Sequence, residues 1–268
     1  MIIELPDFFN NPSLIEFGWF RIQYYAVTWV LSAVLIFQYL KNHYIINELK
    51  LTAEQVNDIV FLYGLIFGAM LGGRIGYMFF YGLDQLASNP FSLFFIWEGG
   101  LSFHGGLMGV IISLYIYSQK NGISFLRLAD SICVAMPIGL GLVRIGNFMN
   151  GELFGRPTDG TWGFIFPTDP YGFTRHPSQL YEAFFEGFIL FILLMLVGAK
   201  NNKHGVISGS FLMAYGLIRF FIEYFRQPDS HMGFVALQLS MGQLLSIPMV
   251  IVGVILITKS LRKNEAIS

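Results

Sequence analysis

Gly-Leu-Gly-Leu-Val-Arg-Ile-Gly-Asn-Phe-Met-Asn-Gly-Glu-Leu-Phe-Gly, residues 139–155, starts as apolar helix and then breaks. Arg144 sits within the apolar part. From Gly146–Asn147 onward, glycines punctuate a loop that carries Asn147, Asn150 and Glu152. A guanidinium inside a helix of membrane-crossing length costs roughly 2.5–3.5 kcal/mol at mid-bilayer on insertion scales. Such a group points at a partner or a water-filled cavity. The segment therefore reads as a grip for the anionic part of a substrate, with the other helices assembled around it.

The composition supplies the setting. The 268 residues are 54% hydrophobic and 17% aromatic but only 12% charged, and the mean hydropathy is +0.59. Soluble domains carry about 25% charged residues, so the deficit identifies an integral membrane protein whose partner is the lipid bilayer. The 28 Phe suit a lipid-facing surface. A net charge of -1 gives no footprint for nucleic acid. Cys133 is the single cysteine and lies in an apolar run, so no disulfide framework or zinc cluster is expected and it reads as a small buried residue. Residues 1–20 hold Glu4, Asp7, Glu16 and two prolines with no basic residue before Arg21. That is not a signal peptide, and it reads as an interfacial lead into the first span.

About 20 apolar residues cross a hydrocarbon layer of roughly 30 Å. Seven stretches qualify, at 22–39, 59–80, 103–118, 128–148, 178–197, 205–225 and 242–260, with 91–97 as a re-entrant or interfacial piece. No repeat or linker divides them, so the chain reads as one polytopic domain over 1–268. The fold class is an all-α integral membrane protein of seven transmembrane helices. A cytoplasmic C-terminus puts Lys41, Lys50, Lys120, Arg127, Lys200, Lys203, Lys259, Arg262 and Lys263 inside, leaving Arg21, Arg156, Arg175 and Arg226 outside. The excess of nine over four sets the N-terminus outside and the C-terminus cytoplasmic. The long outer loop 150–175 joins helices four and five and is suited to covering the site.

Orientation turns sequence position into depth. The remaining arginines, Arg74, Arg144 and Arg219, fall in the outer portions of their spans, as do Tyr25, His104, Gln179, Glu182 and Glu186. Tyr215, Arg219, Glu223 and Arg226 follow at i, i+4, i+8 and i+11, one polar stripe on helix six. An Arg219–Glu223 pair alone would neutralise that helix. It would leave a third charge and a tyrosine unexplained, which favours a cavity-lining face. His104 opens helix three between Gly99-Gly100 and Gly105-Gly106. A lone histidine is more often a satisfied hydrogen-bonding residue, but its depth beside three arginines and an ordinary imidazole pKa of about 6.5 suit a proton acceptor. Gly68, Gly72 and Gly76, like Gly105 and Gly109, stand at the GxxxG spacing of close helix packing. For Arg74, pairing with Glu182 or Glu186 is as good a reading as substrate contact. His176 and Ser178, flanking Pro177, read as capping residues of helix five. No phosphate loop, nucleophile elbow or zinc-binding HExxH is present, so an enzyme of this sequence can lack its own nucleophile.

Four blocks then resemble one known family: Gly-Leu-Ser-Phe-His-Gly-Gly (100–106), Arg-Ile-Gly-Asn-Phe-Met-Asn-Gly-Glu-Leu-Phe-Gly-Arg-Pro-Thr (144–158), Arg-His-Pro-Ser-Gln-Leu-Tyr-Glu (175–182) and Tyr-Gly-Leu-Ile-Arg-Phe-Phe-Ile-Glu-Tyr-Phe-Arg-Gln-Pro-Asp (215–229). They are similar, in order and over nearly the whole chain, to bacterial prolipoprotein diacylglyceryl transferases. The resemblance implies a seven-span inner-membrane enzyme with its active site on the periplasmic side. It further implies transfer of the diacylglyceryl group of phosphatidylglycerol to the lipobox cysteine thiol of a preprolipoprotein. A thioether forms and glycerol 1-phosphate leaves. The protein substrate brings the thiol, which accounts for the missing nucleophile, and no cofactor or metal is implied.

A thiol of pKa about 8.5 needs a base or a positive field to attack as thiolate. His104 is the first candidate for that role, with a tyrosine or arginine as the alternative. Arg144 and Arg219 suit the departing phosphate, since guanidinium holds phosphate oxygens bidentately and stays charged. The resemblance adds Tyr25, Asn147, Glu152, Gly155, Tyr215 and Glu223 to the site. Glu152 and Glu223 are suited to orienting the arginines, because carboxylate repels phosphate. A transporter of an anionic or lipid-like substrate is the rival reading, as intramembrane charge and a broken helix also mark transport pathways. The absence of paired halves and the single depth of the charges weigh against it.

Overall fold

The computed structural model describes residues 2–6, 9, 12–17, 20–95, 99–227, 234–236 and 239–262. In order they form β1 (Ile2–Glu4), β2 (Ser13–Phe17), β3 (Phe20–Gln23), α1 (Tyr24–Leu40), α2 (Tyr44–Glu48), α3 (Ala53–Tyr81) and α4 (Leu83–Ser88). A 3-10 turn at Pro90–Phe94, α5 (Phe103–Lys120) and α6 (Phe125–Met149) follow. The chain continues through β4 (Gly163–Ile165), β5 (Thr174–Arg175), α7 (Ser178–Lys200), α8 (Val206–Ile222), β6 (Phe234–Ala236), β7 (Leu239–Ser240) and α9 (Met241–Arg262). The protein is mostly helical, and each of the seven apolar stretches folds as a helix. Four of these, α3, α6, α7 and α9, are by length and composition able to cross a membrane. Their outward side chains are apolar, with Phe188, Leu196 and Ile251 all more than half exposed. Continuous apolar exposure of this kind suits lipid and not water. Asp7, Ile96, Trp97, Pro228, Asp229 and Lys263, all used in the sequence reading, lie outside the described residues.

The chain forms two units, Ile36–Ile132 and Met1–Leu35 with Cys133–Ser268. In the first unit α3 and α5 are in backbone contact through their glycines. A Cβ on Gly72 would stand 2.7 Å from the Gly105 carbonyl oxygen, and one on Gly76 would stand 2.7 Å from Gly105 Cα. The GxxxG spacing thus serves packing, as expected. Residues 58–72 of α3 are π-helical. Ser102 caps α5 by accepting the Gly105 N–H at 3.3 Å. Arg74 is 1% exposed and donates to the main-chain carbonyls of Ser92, at 2.7 Å, and Gly99. These carbonyl oxygens hold the two terminal nitrogens of the guanidinium, so Arg74 braces the segment before α5.

In the second unit β1 runs parallel to β4, which pairs antiparallel with β5. Phe148, Phe154, Phe166 and the β4 residue Phe164 pack against one another, with ring centroids 5.5 Å apart for Phe148–Phe164 and 5.2 Å for Phe154–Phe166. The strands modify the all-α expectation. They are two to five residues long, too short to display an alternating pattern. The predicted break at Gly146–Asn147 also moves. Helix α6 continues to Met149 and ends at Asn150–Gly151, where Gly151 adopts φ +62°. Gly146 lies against the Thr28 side chain, where a Cβ has no room. Its role is close helix approach, and it does not break the helix.

Candidate active site

Three helices of the second unit meet at one cluster of charge. The last turns of α6 carry Arg144 and Asn147, the first turns of α7 carry Gln179, Glu182 and Glu186, and the end of α8 carries Arg219, with Glu223 and Arg226 just beyond. Glu182 is the hub. Its Oε2 lies 2.7 Å from Arg144 Nε, and its Oε1 lies 2.9 Å from Arg219 Nη1 and 3.1 Å from Arg226 Nη1. Glu223 completes the set, with Oε1 at 2.6 Å from Arg219 Nη2 and 3.8 Å from Arg226 Nε. Its Oε2 accepts the Ser240 hydroxyl at 2.7 Å. The Arg219–Glu223 pair expected at i, i+4 therefore forms as one edge of a larger network.

Glu186 lies one turn further along α7, where Ala183–Ile189 is π-helical. Its oxygens approach Arg219 Nη1 at 3.5 Å and Arg144 Nε at 4.0 Å, and among the described residues neither accepts a hydrogen bond of ordinary geometry. Exposure differs across the cluster. The Glu182 and Glu186 side chains are 0% accessible, whereas those of Arg144, Arg219 and Arg226 keep 17%, 14% and 11%. Carboxylates form the buried floor and guanidiniums the open side. Buried ions of one sign are affordable only when opposite charges sit beside them, and here three arginines face three glutamates.

The loop after α6 fixes Arg144. Arg144 Nη1 donates to Asn147 Oδ1 at 3.4 Å, and Asn147 Nδ2 donates to Glu152 Oε1 at 2.8 Å. Gln179 Nε2 donates to the Glu152 carbonyl at 2.6 Å, and Ser178 Oγ to the Leu153 carbonyl at 3.1 Å. Two successive carbonyls are thus tied to the start of α7. Leu153 adopts φ +56°, a left-handed conformation that costs a β-carbon residue about 1–3 kcal/mol. Ser178 and His176 were expected to cap α7. The N-cap position instead belongs to Pro177, which freed the Ser178 hydroxyl for Leu153. His176 Nδ1 lies 3.2 Å from the Tyr181 hydroxyl, among Trp162 and Phe225. Burial pushes the His176 pKa down, with Asp159 opposing.

Gly155 is the seam between the outer loop and the end of α8. Its N–H donates to the His176 carbonyl at 2.8 Å, and a Cβ would fall 2.5 Å from the Phe225 carbonyl oxygen and 2.7 Å from His176 Cβ. Arg156 reinforces the seam by donating to the carbonyls of Arg226 at 2.9 Å and Glu223 at 3.2 Å. Arg175 pairs with Asp169 through two bonds of 2.7 and 3.0 Å and lies 4.7 Å from the Phe154 ring. Burial alone would raise the Asp169 carboxyl. The Arg175 guanidinium and the N–H groups of Tyr171 and Phe173 outweigh it and hold the carboxyl below its ordinary value.

Of the residues singled out in the sequence, the structure joins Arg144, Asn147, Glu152, Arg219 and Glu223 in one network. Tyr215 stacks on Phe211 at 5.7 Å, and Tyr25 stands edge-on to Trp29 at 6.2 Å at the start of α1. Neither phenol makes a hydrogen bond to a described residue. His104 belongs to the first unit, exposed at the second position of α5 and edge-on to Phe103. Glu182, Glu186 and Arg226 were absent from the expected site. Their signal was present in the shared face of Gln179, Glu182 and Glu186 and in the last member of the helix-six stripe.

The family model for prolipoprotein diacylglyceryl transferase matches residues 12–259. A phosphatidylglycerol–prolipoprotein diacylglyceryl transferase of Geobacter sulfurreducens is 46% identical over 244 residues, 91% of this chain and 92% of the relative. Its counterpart in Photobacterium profundum is 45% identical over 92% of this chain and 91% of the relative. That of Bordetella avium is 40% identical over 98% and 99%. Matched across nearly its full length by both the family model and these relatives, the chain belongs to the prolipoprotein diacylglyceryl transferase family.

Proposed function

We propose that this protein transfers the diacylglyceryl group of phosphatidylglycerol to the lipobox cysteine of a preprolipoprotein, at the arginine cluster of α6, α7 and α8. Family membership supports the reaction over transport. The observation that carries the site is the sidedness of the cluster, with guanidiniums open and carboxylates buried. A phosphodiester arriving from the open side meets the guanidiniums ahead of the buried Glu182 and Glu186 carboxylates. Arg144 keeps the largest accessibility of the three arginines, and the contacts of its terminal nitrogens include one 3.4 Å bond to Asn147, whereas both terminal nitrogens of Arg219 are engaged by Glu182, Glu186 and Glu223. Arg144 is accordingly the direct phosphate donor, and Arg219 contributes field and orientation. The cysteine sulfur attacks the glyceryl CH2, the C–S bond forms, the C–O bond breaks, and the phosphate departs with the bonding pair. Charge grows on that phosphate in the transition state, where preorganised guanidiniums stabilise it most. The thiol proton goes to a base, for which His104 has the right chemistry. Tyr25 and Tyr215 are hydroxyl donors for the substrate's polar groups.

The seven helices cross the inner membrane, with the N-terminus periplasmic, the C-terminus cytoplasmic and the cluster toward the periplasmic side. One feature supports the orientation, and another supports the number of crossings. Lysines and arginines concentrate in the loops that it makes cytoplasmic. The pairing of β1 with β4 also requires an even number of crossings between them, and the helices α1, α3, α5 and α6 number four. In a purified, detergent-solubilised enzyme, Arg144→Ala should abolish transfer from phosphatidylglycerol to a lipobox peptide while insertion and yield stay normal. Near-normal turnover of that variant would refute the phosphate role.

A further inference from the structure

Glu186 has no evident part in holding the fold, yet it is wholly buried. Among the described residues neither oxygen accepts a hydrogen bond of ordinary geometry, and the cationic groups in ion-pair range are Arg219 at 3.5 Å and Arg144 at 4.0 Å. Both arginines already have a closer carboxylate in Glu182, at 2.9 and 2.7 Å. A buried carboxylate without hydrogen bonds is expensive, so this second acid beneath the same two guanidiniums calls for a function. The charge count suggests one. Among the groups in direct ion-pair range of one another, Arg144, Arg219 and Arg226 against Glu182 and Glu223 leave one positive charge, and Glu186 cancels it; Glu152 reaches Arg144 only through Asn147. The π-helical turn at Ala183–Ile189 keeps Glu186 on the face that Glu182 presents, and such turns recur at functional sites.

We propose that Glu186 is a positioning residue that neutralises the arginine cluster from below and so limits its grip on the departing phosphate. Binding substrate and product ever more tightly does not raise turnover. The released glycerol phosphate carries more negative charge than the diester it came from, and would be the species most strongly retained by a cluster with surplus positive charge. Glu186 thereby trades ground-state affinity for product release. This inference rests on the phosphate-clamp reading above.

The test is inhibition of the full-length enzyme by added glycerol 1-phosphate, with phosphatidylglycerol and a lipobox peptide as substrates. E186Q keeps the shape and removes the charge. Its inhibition constant should fall about tenfold, the size of one unit charge several ångströms away in a partly screened site, with a lower KM for the lipid and a lower kcat. E186D, which keeps the charge, should retain an inhibition constant near that of the wild type. E186L serves as a second charge-free variant if E186Q does not fold. Unchanged or weaker inhibition in E186Q, or a raised KM with kcat lost in proportion, would overturn the proposal. Failure of both charge-free variants to fold would also overturn it, by making Glu186 a structural residue. A wild type not inhibited by glycerol 1-phosphate, or an R144A protein that binds it equally well, would instead defeat the clamp reading. Loss of that binding in R144A with no change in E186Q would defeat the role of Glu186 alone.

Discussion

Replacing Glu182 by Gln removes one charge and leaves the packing nearly unchanged, so its effect reads the electrostatic worth of the hub. Three guanidinium nitrogens lie at 2.7, 2.9 and 3.1 Å from its oxygens. At an effective dielectric near 20, each such contact represents about 5–6 kcal/mol of attraction before desolvation is set against it. Repulsion from nearby Glu186 and the loss of hydration remove most of that sum. Breaking a buried pair from one side nevertheless costs roughly 3–5 kcal/mol, because the surviving charges stay buried without compensation. At about 2–4 °C per kcal/mol for a chain of this size, the unfolding midpoint should fall by roughly 6–20 °C. Heating the purified variant in detergent while following tryptophan fluorescence measures this directly, and transfer activity should be lost in the same preparation. A midpoint within about 2 °C of wild type, with activity intact, would refute the assignment of Glu182 as the hub.

Further outcomes follow from the loop and from the proton acceptor. Gly155→Ala forces a Cβ into the Phe225 carbonyl and His176. It should cost about 1–3 kcal/mol and most of the activity by parting the loop from α8, and a fully active, equally stable G155A would contradict the seam. The Asp169 carboxyl is held below its ordinary value. The stability it contributes is therefore complete above the ordinary aspartate range and drains away as the pH falls through the lower folded value. Hydrogen exchange over residues 163–176 should show protection at neutral pH that collapses in acid. Asp169→Asn should lack that protection at both, by roughly 3–5 kcal/mol; equal protection in D169N at neutral pH would count against the pair. His104→Gln should lose most transfer at neutral pH and regain part of it in alkali, where the thiol ionises unaided. Absence of both loss and rescue would point to another acceptor.

The helical architecture was legible because each apolar stretch is long enough to declare itself against the surrounding polar loops. The strands were not, since Ile2–Glu4 and Thr174–Arg175 gain their order from pairing with distant segments and not from local pattern. The arginines and Glu223 were visible for the same reason as the helices: a charge inside an apolar run has no inexpensive explanation. Glu182 and Glu186 were seen on one face of α7, but two helices must come together before that face can be known as the floor of the cluster. Gly146 shows the converse error. Next to an asparagine it resembles a helix end, and only the nearby Thr28 side chain reveals a packing glycine within a continuing helix.

The central claim is that this chain moves a diacylglyceryl group from phosphatidylglycerol to a thiol. Purified full-length protein, incubated with phosphatidylglycerol and a lipobox peptide, should add one diacylglyceryl mass to the cysteine and release an equal amount of glycerol phosphate, while a Cys→Ser peptide stays unmodified. No mass gain on the cysteine peptide, or equal modification of the serine peptide, would contradict it.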